Sequence, residues 1–171
     1  MQEKNKILNL IVDCLEKGNK KEAFDYIEKY LSTNLSKKNI NEIVKIGKIF
    51  FEYEEYEYTE ICFKKIIKLD KKSSIPWFEL GNVYLDLEEY NRAIEHFKKA
   101  IELNEKDNYY YYNIGIAYYK LNEVENAVEA LKTAIKLDEK DLLSLIYLGK
   151  IYIDLSEYEK AIKKIKQKIT K

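Results

Sequence analysis

The sequence predicts an all-α protein made of tandem helical hairpins stacked as a solenoid, an α–α superhelix. Three observations predict it. Four of the five glycines, Gly47, Gly81, Gly115 and Gly149, stand 34 residues apart. Other columns keep the same step: Phe50, Tyr84, Tyr118, Tyr152; Tyr56, Tyr90, Val124, Tyr158; Thr59, Ala93, Ala127, Ala161; Phe63, Phe97, Leu131, Ile165. Within each period, apolar residues recur in two stretches at helical spacing, separated by a short polar break. One hairpin cannot bury its apolar face alone, so a fixed period of two helices means stacked neighbours.

The clearest unit spans 74–107. In its first helix Trp77, Leu80, Gly81, Tyr84 and Leu87 form one face. Pro76 suits a first helical turn, where a missing N–H costs little, and Ser73 or Ser74 can cap it. The break falls near Glu88–Glu89. In the second helix Tyr90, Ala93, Ile94, Phe97, Ala100 and Ile101 face inward, while Asn91, Arg92, Glu95, Lys98, Lys99 and Glu102 face water. Small Gly81 and Ala93 let the helices approach closely.

The remaining units follow from this register. The first, 4–39, carries Ile7, Leu10, Ile11 and Cys14, a turn at Gly18–Asn19, then Ala23, Ile27, Tyr30 and Leu31; its tail is two residues longer than the standard step. The second, 40–73, carries Ile43, Ile46, Gly47 and Phe50, then Tyr56, Phe63, Ile66 and Ile67. Thr59 stands where alanine is usual and Glu60 where an apolar residue is, which predicts looser packing. The fourth, 108–141, carries Tyr111, Ile114, Gly115 and Tyr118, then Ala127, Val128, Leu131, Ala134 and Ile135. The fifth, 142–171, opens with Leu145, Leu148, Gly149 and Tyr152, and its expected second helix ends in lysines 163, 164, 166 and 168. Those lysines either solvate a free end or flank a face stacked on another copy of the protein. No linker or second domain is visible, so one domain, 1–171, is expected.

The run Trp77-x-x-Leu80-Gly81-x-x-Tyr84, then Ala93-x-x-x-Phe97 and Ala100, resembles the tetratricopeptide repeat at nearly every signature position. The resemblance covers almost the whole chain. It implies about five hairpins in a right-handed superhelix whose first helices line a concave groove. One departure is uniform: Lys71, Glu105 and Glu139 stand where such repeats often close with proline. Polar clusters such as Asn104-Glu105-Lys106-Asp107 can turn the chain instead.

Composition narrows the function. With 35% charged and 46% hydrophobic residues the chain is globular rather than disordered. Thirty basic and thirty acidic side chains cancel, which argues against nucleic-acid or anionic-membrane binding, since both need surplus positive charge. Arg92 is the only arginine, so planar forks for phosphate are scarce. Cys14 and Cys62 both fall on apolar stripes, which predicts reduced, buried thiols over a disulfide or metal pair. No stretch is long enough to span a membrane, and a cytoplasmic location is the expectation. His96, the only histidine, lies off the apolar stripe with no nearby cysteine or serine. No metal cluster or phosphate-cradling glycine loop is present, so a non-catalytic protein without cofactor is expected.

The two helix types differ in a way that bears on function. First helices carry a second apolar stripe about 120° from the first: Ile75, Phe78, Asn82, Leu85; Tyr109, Tyr112, Ile116, Tyr119; Leu143, Ile146, Lys150, Ile153; and Asn41, Val44, Lys48, Phe51. Second helices show no such extra face. Under the resemblance these stripes match the groove columns, with Lys48, Phe78, Asn82, Tyr109, Tyr112, Asn113, Ile116, Tyr119, Ile146, Tyr147 and Lys150 as the expected peptide-binding residues. The alternative is that the stripes pack one first helix on the next or are buried by self-association. The family's clamp for a ligand's terminal carboxylate places two asparagines among cations. Asn82 and Asn113 match the asparagine places, but Phe78, Leu143 and Tyr147 occupy cationic ones, so a terminal carboxylate is not the expected anchor. The leading function is a scaffold or adaptor that binds a peptide or helix; the runner-up is a self-associating assembly unit.

Overall fold

The computed structural model describes the backbone of residues 6–169 and the side chains through residue 159. The expected stripe positions Ala161 and Ile165 and the terminal lysines therefore lie outside the described side chains. The described residues are helical with no strand. The helices are α1 (Lys6–Glu16), α2 (Lys20–Leu31), α3 (Ile40–Glu52), α4 (Tyr56–Leu69), α5 (Ile75–Asp86), α6 (Tyr90–Leu103), α7 (Asn108–Lys120), α8 (Val124–Leu137) and α9 (Leu142–Ile169), with a short 3-10 turn at Lys37–Asn39. They form two compact units, Met1–Asn104 and Glu105–Lys171.

Every hairpin turns by the same device. One residue between the two helices adopts a left-handed conformation: Gly18 at φ 75°, Glu54 at 59°, Glu88 at 58° and Asn122 at 62°. Its own amide and the next one then satisfy the carbonyls that the ending helix leaves open. Glu89 N–H donates to the Tyr84 carbonyl at 2.8 Å and Glu88 N–H to that of Leu85 at 3.1 Å; Glu123 and Asn122 repeat this on Tyr118 and Tyr119. The residue after the left-handed one is the N-cap of the next helix, its carbonyl accepting from the column alanine or threonine, as Glu89 does from Ala93 at 3.0 Å. Between hairpins, aspartates take the place of the missing proline. Asp70 accepts the Lys72 amide at 3.2 Å and Asp138 the Lys140 amide at 3.0 Å, closing tight turns.

In the first unit α1 packs on α2, α3 on α4 and α5 on α6, and α4 also packs on α5. Ile11, Ile27, Ile43, Ile46, Phe50, Phe63, Ile66, Leu80, Tyr84 and Phe97 form the core. Glycine sets the hairpin spacing: a Cβ built on Gly47 would lie 3.0 Å from the Phe63 ring, and on Gly81 only 2.4 Å from Phe97. Cys14 and Cys62 are free and buried, and burial pushes the Cys62 thiol up to about 12.

The looser packing expected at Thr59–Glu60 is not what forms. Thr59 is fully buried and donates its hydroxyl to the Glu55 carbonyl at 3.0 Å, so the polar atom is satisfied inside its own helix. Glu60 accepts the Tyr84 hydroxyl at 2.6 Å and pairs with Lys64. Arg92 donates to the same Tyr84 oxygen at 2.7 Å and stacks over the Tyr84 ring. A polar residue on the stripe is thus absorbed by a hydrogen-bonded network. His96, expected off the apolar face, packs instead beside the Trp77 and Tyr84 rings, with centroids 5.6 and 4.8 Å away.

In the second unit α7 packs on α8 and α8 on α9. Ala127, Leu131 and Ile151 make the buried centre, with Tyr112, Tyr118, Tyr119, Val124, Val128, Tyr147 and Leu148 against it. A Cβ on Gly115 would meet Leu131 at 3.0 Å. Here the structure departs from the expected fifth hairpin. α9 runs unbroken through Leu155, Ser156 and Glu157, where the period places a turn. Ser156 keeps its helical conformation and donates its hydroxyl to the Ile153 carbonyl at 3.0 Å. A turn there would give up helical hydrogen bonds and put Ser156 in the left-handed region that Glu54, Glu88 and Asn122 adopt, a cost that packing of the following segment must offset.

Candidate functional site

In the second unit, a capped helix start positions the residues the stripe singled out. Asp141 caps α9: its carboxylate accepts the Ser144 amide at 3.1 Å and the Ser144 hydroxyl at 2.6 Å, and Asn108 at the start of α7 donates to it at 3.1 Å. Burial alone would raise the Asp141 carboxyl, but the Ser144 and Asn108 hydrogen bonds outweigh it and hold the group below its ordinary value. The cap also supplies negative charge where the α9 amides are unpaired. It thereby ties the start of α9 to the start of α7.

That tie brings three tyrosines together. The Tyr147 ring on α9 meets Tyr112 edge-on at 6.1 Å and Tyr119 edge-on at 5.8 Å, both from α7. Such edge-to-face pairs are worth about 0.5–1.5 kcal/mol each beyond their area burial. The Tyr119 hydroxyl donates to Asp154, which with burial pushes the phenol up to about 12; burial also raises Tyr112. Lys150 sits 5.5 Å over the Tyr147 ring. Around this cluster Tyr109 stays 54% exposed and Ile146 69% exposed, while Ile116 is half-buried. Asn113 donates one amide hydrogen to the Tyr109 carbonyl at 2.9 Å, so one N–H of its side chain is spent within the helix.

The first-unit candidates are differently placed. Lys48 pairs with Glu79 of α5 at 2.7 Å. Phe78 is half-buried with its ring 5.8 Å from that of Phe97, so it belongs as much to the hairpin interior as to any groove. Asn82 is half-buried between them in sequence.

Two features were missed in the stripes. Tyr110 and Ala117 on α7 and Ser144 and Ile151 on α9 are buried although neither stripe contains them. They mark a third face, in register with Pro76 and Val83 of α5, which are also buried. The signal was present as the step from Val83 to Ala117 to Ile151, all small or β-branched. Second, a cleft of about 560 Å³ opens where Leu155 of α9 crosses Val124 and Val128 of α8, with Glu125, Lys132 and Lys136 at its rim. Val124 and Val128 belong to the α8 stripe that also packs on the core, and the other α8 residues lining the cleft are polar. Among the described residues no group of three or more His, Cys, Asp or Glu side chains could hold a metal ion, and no helix is long and apolar enough to cross a membrane.

Comparisons with known proteins agree with this architecture. Family models described as tetratricopeptide repeat match residues 62–95 and 109–141, and one described as TPR repeat matches 81–122. No curated protein sequence matches the chain. Among solved structures, MamA from Desulfovibrio magneticus RS-1 is 22% identical with a TM-score of 0.69, covering 96% of this chain and 93% of that one. The first TPR of Spaghetti, solved bound to the HSP90 peptide SRMEEVD, is 18% identical with a TM-score of 0.66, covering 73% and 99%. The second TPR domain of human RPAP3, solved in complex with the HSP70 peptide SGPTIEEVD, is 23% identical with a TM-score of 0.59, covering 62% and 88%. At these identities the likeness speaks to fold alone. With the 34-residue columns, the hairpins and three matching repeat models in agreement, the chain is a tetratricopeptide repeat protein.

Proposed function

We propose that this protein is a non-catalytic adaptor that binds another polypeptide on the inner faces of its first helices, and that in the second unit the contact centres on Tyr112, Tyr119 and Tyr147. The observation that carries this is the aromatic cluster itself. Three rings hold one another in place, so they offer contact area with little ordering cost, while Tyr109 and Ile146 beside them remain uncovered. Repeats of this family are generally protein-interaction modules, and two of the structural neighbours were solved with peptides. Those peptides end in acidic residues. Here the cationic places of the carboxylate clamp hold Phe78, Leu143 and Tyr147, and Asp154 adds negative charge to the cluster. The ligand is therefore an apolar or aromatic segment held by ring contacts, with the remaining polar atoms of Asn113 on its main chain. In the first unit Lys48 and Asn82 are the corresponding polar contacts and Phe78 the apolar one.

Peptides selected from a displayed library and titrated by fluorescence anisotropy test this. Tyr112→Ala and Asn113→Ala are expected to weaken binding by about 5- to 30-fold, the scale of an interface anchor, with unchanged helical circular dichroism. SRMEEVD is expected not to bind. Unaltered affinity in both variants removes the proposal. A second reading, self-association, is favoured by the exposed Leu142, Ile146 and Ile153 of α9; light scattering across a dilution series would show an oligomer that persists.

A further inference from the structure

In each of the second to fourth repeats, the column glycine is filled by the residue 16 positions on: Gly47 by Phe63, Gly81 by Phe97, Gly115 by Leu131. The fifth glycine breaks the rule. Nothing lies within 4 Å of a Cβ built on Gly149, and the residue 16 positions on is Ile165. The rest of that face is equally unfilled. Tyr152 is 47% exposed where its column partners Phe50 and Tyr84 are 0% and 1%, and Leu145 is 43% exposed where Ile43 is 0%. Among the described residues, α9 thus presents a hairpin face with no second helix on it.

The chain carries a segment in register to cover it. Tyr158, Ala161 and Ile165 continue the second-helix columns. On a continuous helix, a step of 16 residues turns about 160°, so these positions fall on the side opposite Leu145, Gly149 and Tyr152. Two straight α9 helices from two copies therefore cannot engage both stripes at once. Reversing the chain between the stripes does engage both, and the place to reverse is Ser156, which aligns with Glu54, Glu88 and Asn122.

We propose that the continuous α9 is the open state of a fifth hairpin, and that residues 157–169 fold back over Gly149 through a left-handed turn at Ser156. The occupant of the open face is this chain's own segment. Opening keeps the helical hydrogen bonds, whereas closing buries Leu145 and Tyr152 and restores the glycine-to-residue-165 contact. The switch decides whether that apolar face is available to anything else. It does not depend on the peptide-binding reading.

The test is the double variant Gly149→Cys with Ile165→Cys in the full chain, with each single variant as control for pairing with the buried Cys14 and Cys62. In a continuous helix the two positions are about 24 Å apart, far beyond the roughly 7 Å at which a disulfide can close. In the hairpin they meet, as Gly115 and Leu131 do. Under mild oxidation at high dilution, peptide mapping is expected to find the 149–165 disulfide within one chain. Adding Ser156→Gly is expected to speed cross-linking over Ser156→Ala by at least about tenfold, because glycine is the poorer helix residue and the better left-handed one. Failure to cross-link, cross-links only between molecules, or equal rates with glycine and alanine at 156 would each overturn the proposal.

Discussion

The glycine column offers one substitution with opposite outcomes at two positions. Glycine to alanine inside a helix gains about 1 kcal/mol from backbone propensity alone. At Gly81 the new methyl would lie 2.4 Å from Cε1 and 2.5 Å from Cδ1 of Phe97, a fully buried ring that cannot swing aside. Overpacking of this kind costs about 1–3 kcal/mol, and a contact this short belongs at the upper end, so Gly81→Ala is expected to lose about 1–2 kcal/mol net. At Gly149 the methyl meets nothing within 4 Å, so Gly149→Ala keeps the whole gain of about 1 kcal/mol. Gly47 and Gly115, with closest contacts of 3.0 Å, fall between. Stacked repeats are stabilised locally, so the readout must be local. Trp77, the only tryptophan, sits on the helix that carries Gly81 and reports urea unfolding there. Amide hydrogen exchange along α9 reports Gly149, where about 1 kcal/mol slows exchange roughly fivefold. A neutral Gly81→Ala, or faster α9 exchange in Gly149→Ala, would refute the assignment of Gly81 as packed and Gly149 as open.

Three further outcomes are expected. Glu88→Gly should stabilise the first unit by about 1 kcal/mol in Trp77-monitored unfolding, because it relieves a left-handed glutamate in a solvent-exposed turn. Tyr84→Phe should cost about 1–2 kcal/mol in the same assay, since it deletes the hydroxyl shared by Glu60 and Arg92. Asp141→Ala should destabilise α9 by about 1 kcal/mol at neutral pH, the usual worth of a cap. Its carboxyl is held below the unfolded value of about 3.9, so the cap's contribution is complete above that pH and is lost as pH falls through the lower folded value. The wild-type advantage in α9 hydrogen exchange should therefore vanish in strong acid and persist at pH 5.

The periodic columns were enough to specify the hairpins, the helix faces and the glycine contacts at Gly47, Gly81 and Gly115, because in a repeat protein each unit meets the same neighbours and local pattern equals tertiary pattern. That equivalence ends where the neighbours differ. Gly149, Tyr152 and Leu145 carry the column residues of a packed face, yet stand open because the helix that would cover them continues straight on. His96 reads as a surface residue and Glu60 as a polar intrusion on an apolar stripe, and only α5 gives them their partners: Trp77 and Tyr84 beside half-buried His96, and the Tyr84 hydroxyl on half-buried Glu60. The edge-to-face meeting of Tyr112, Tyr119 and Tyr147 was likewise invisible, since a stripe names residues on one side of a helix but not what an adjacent helix sets against them. Spacing along one chain segment dictates which groups share a face; whether that face is buried, paired or left open is decided by the element that packs on it.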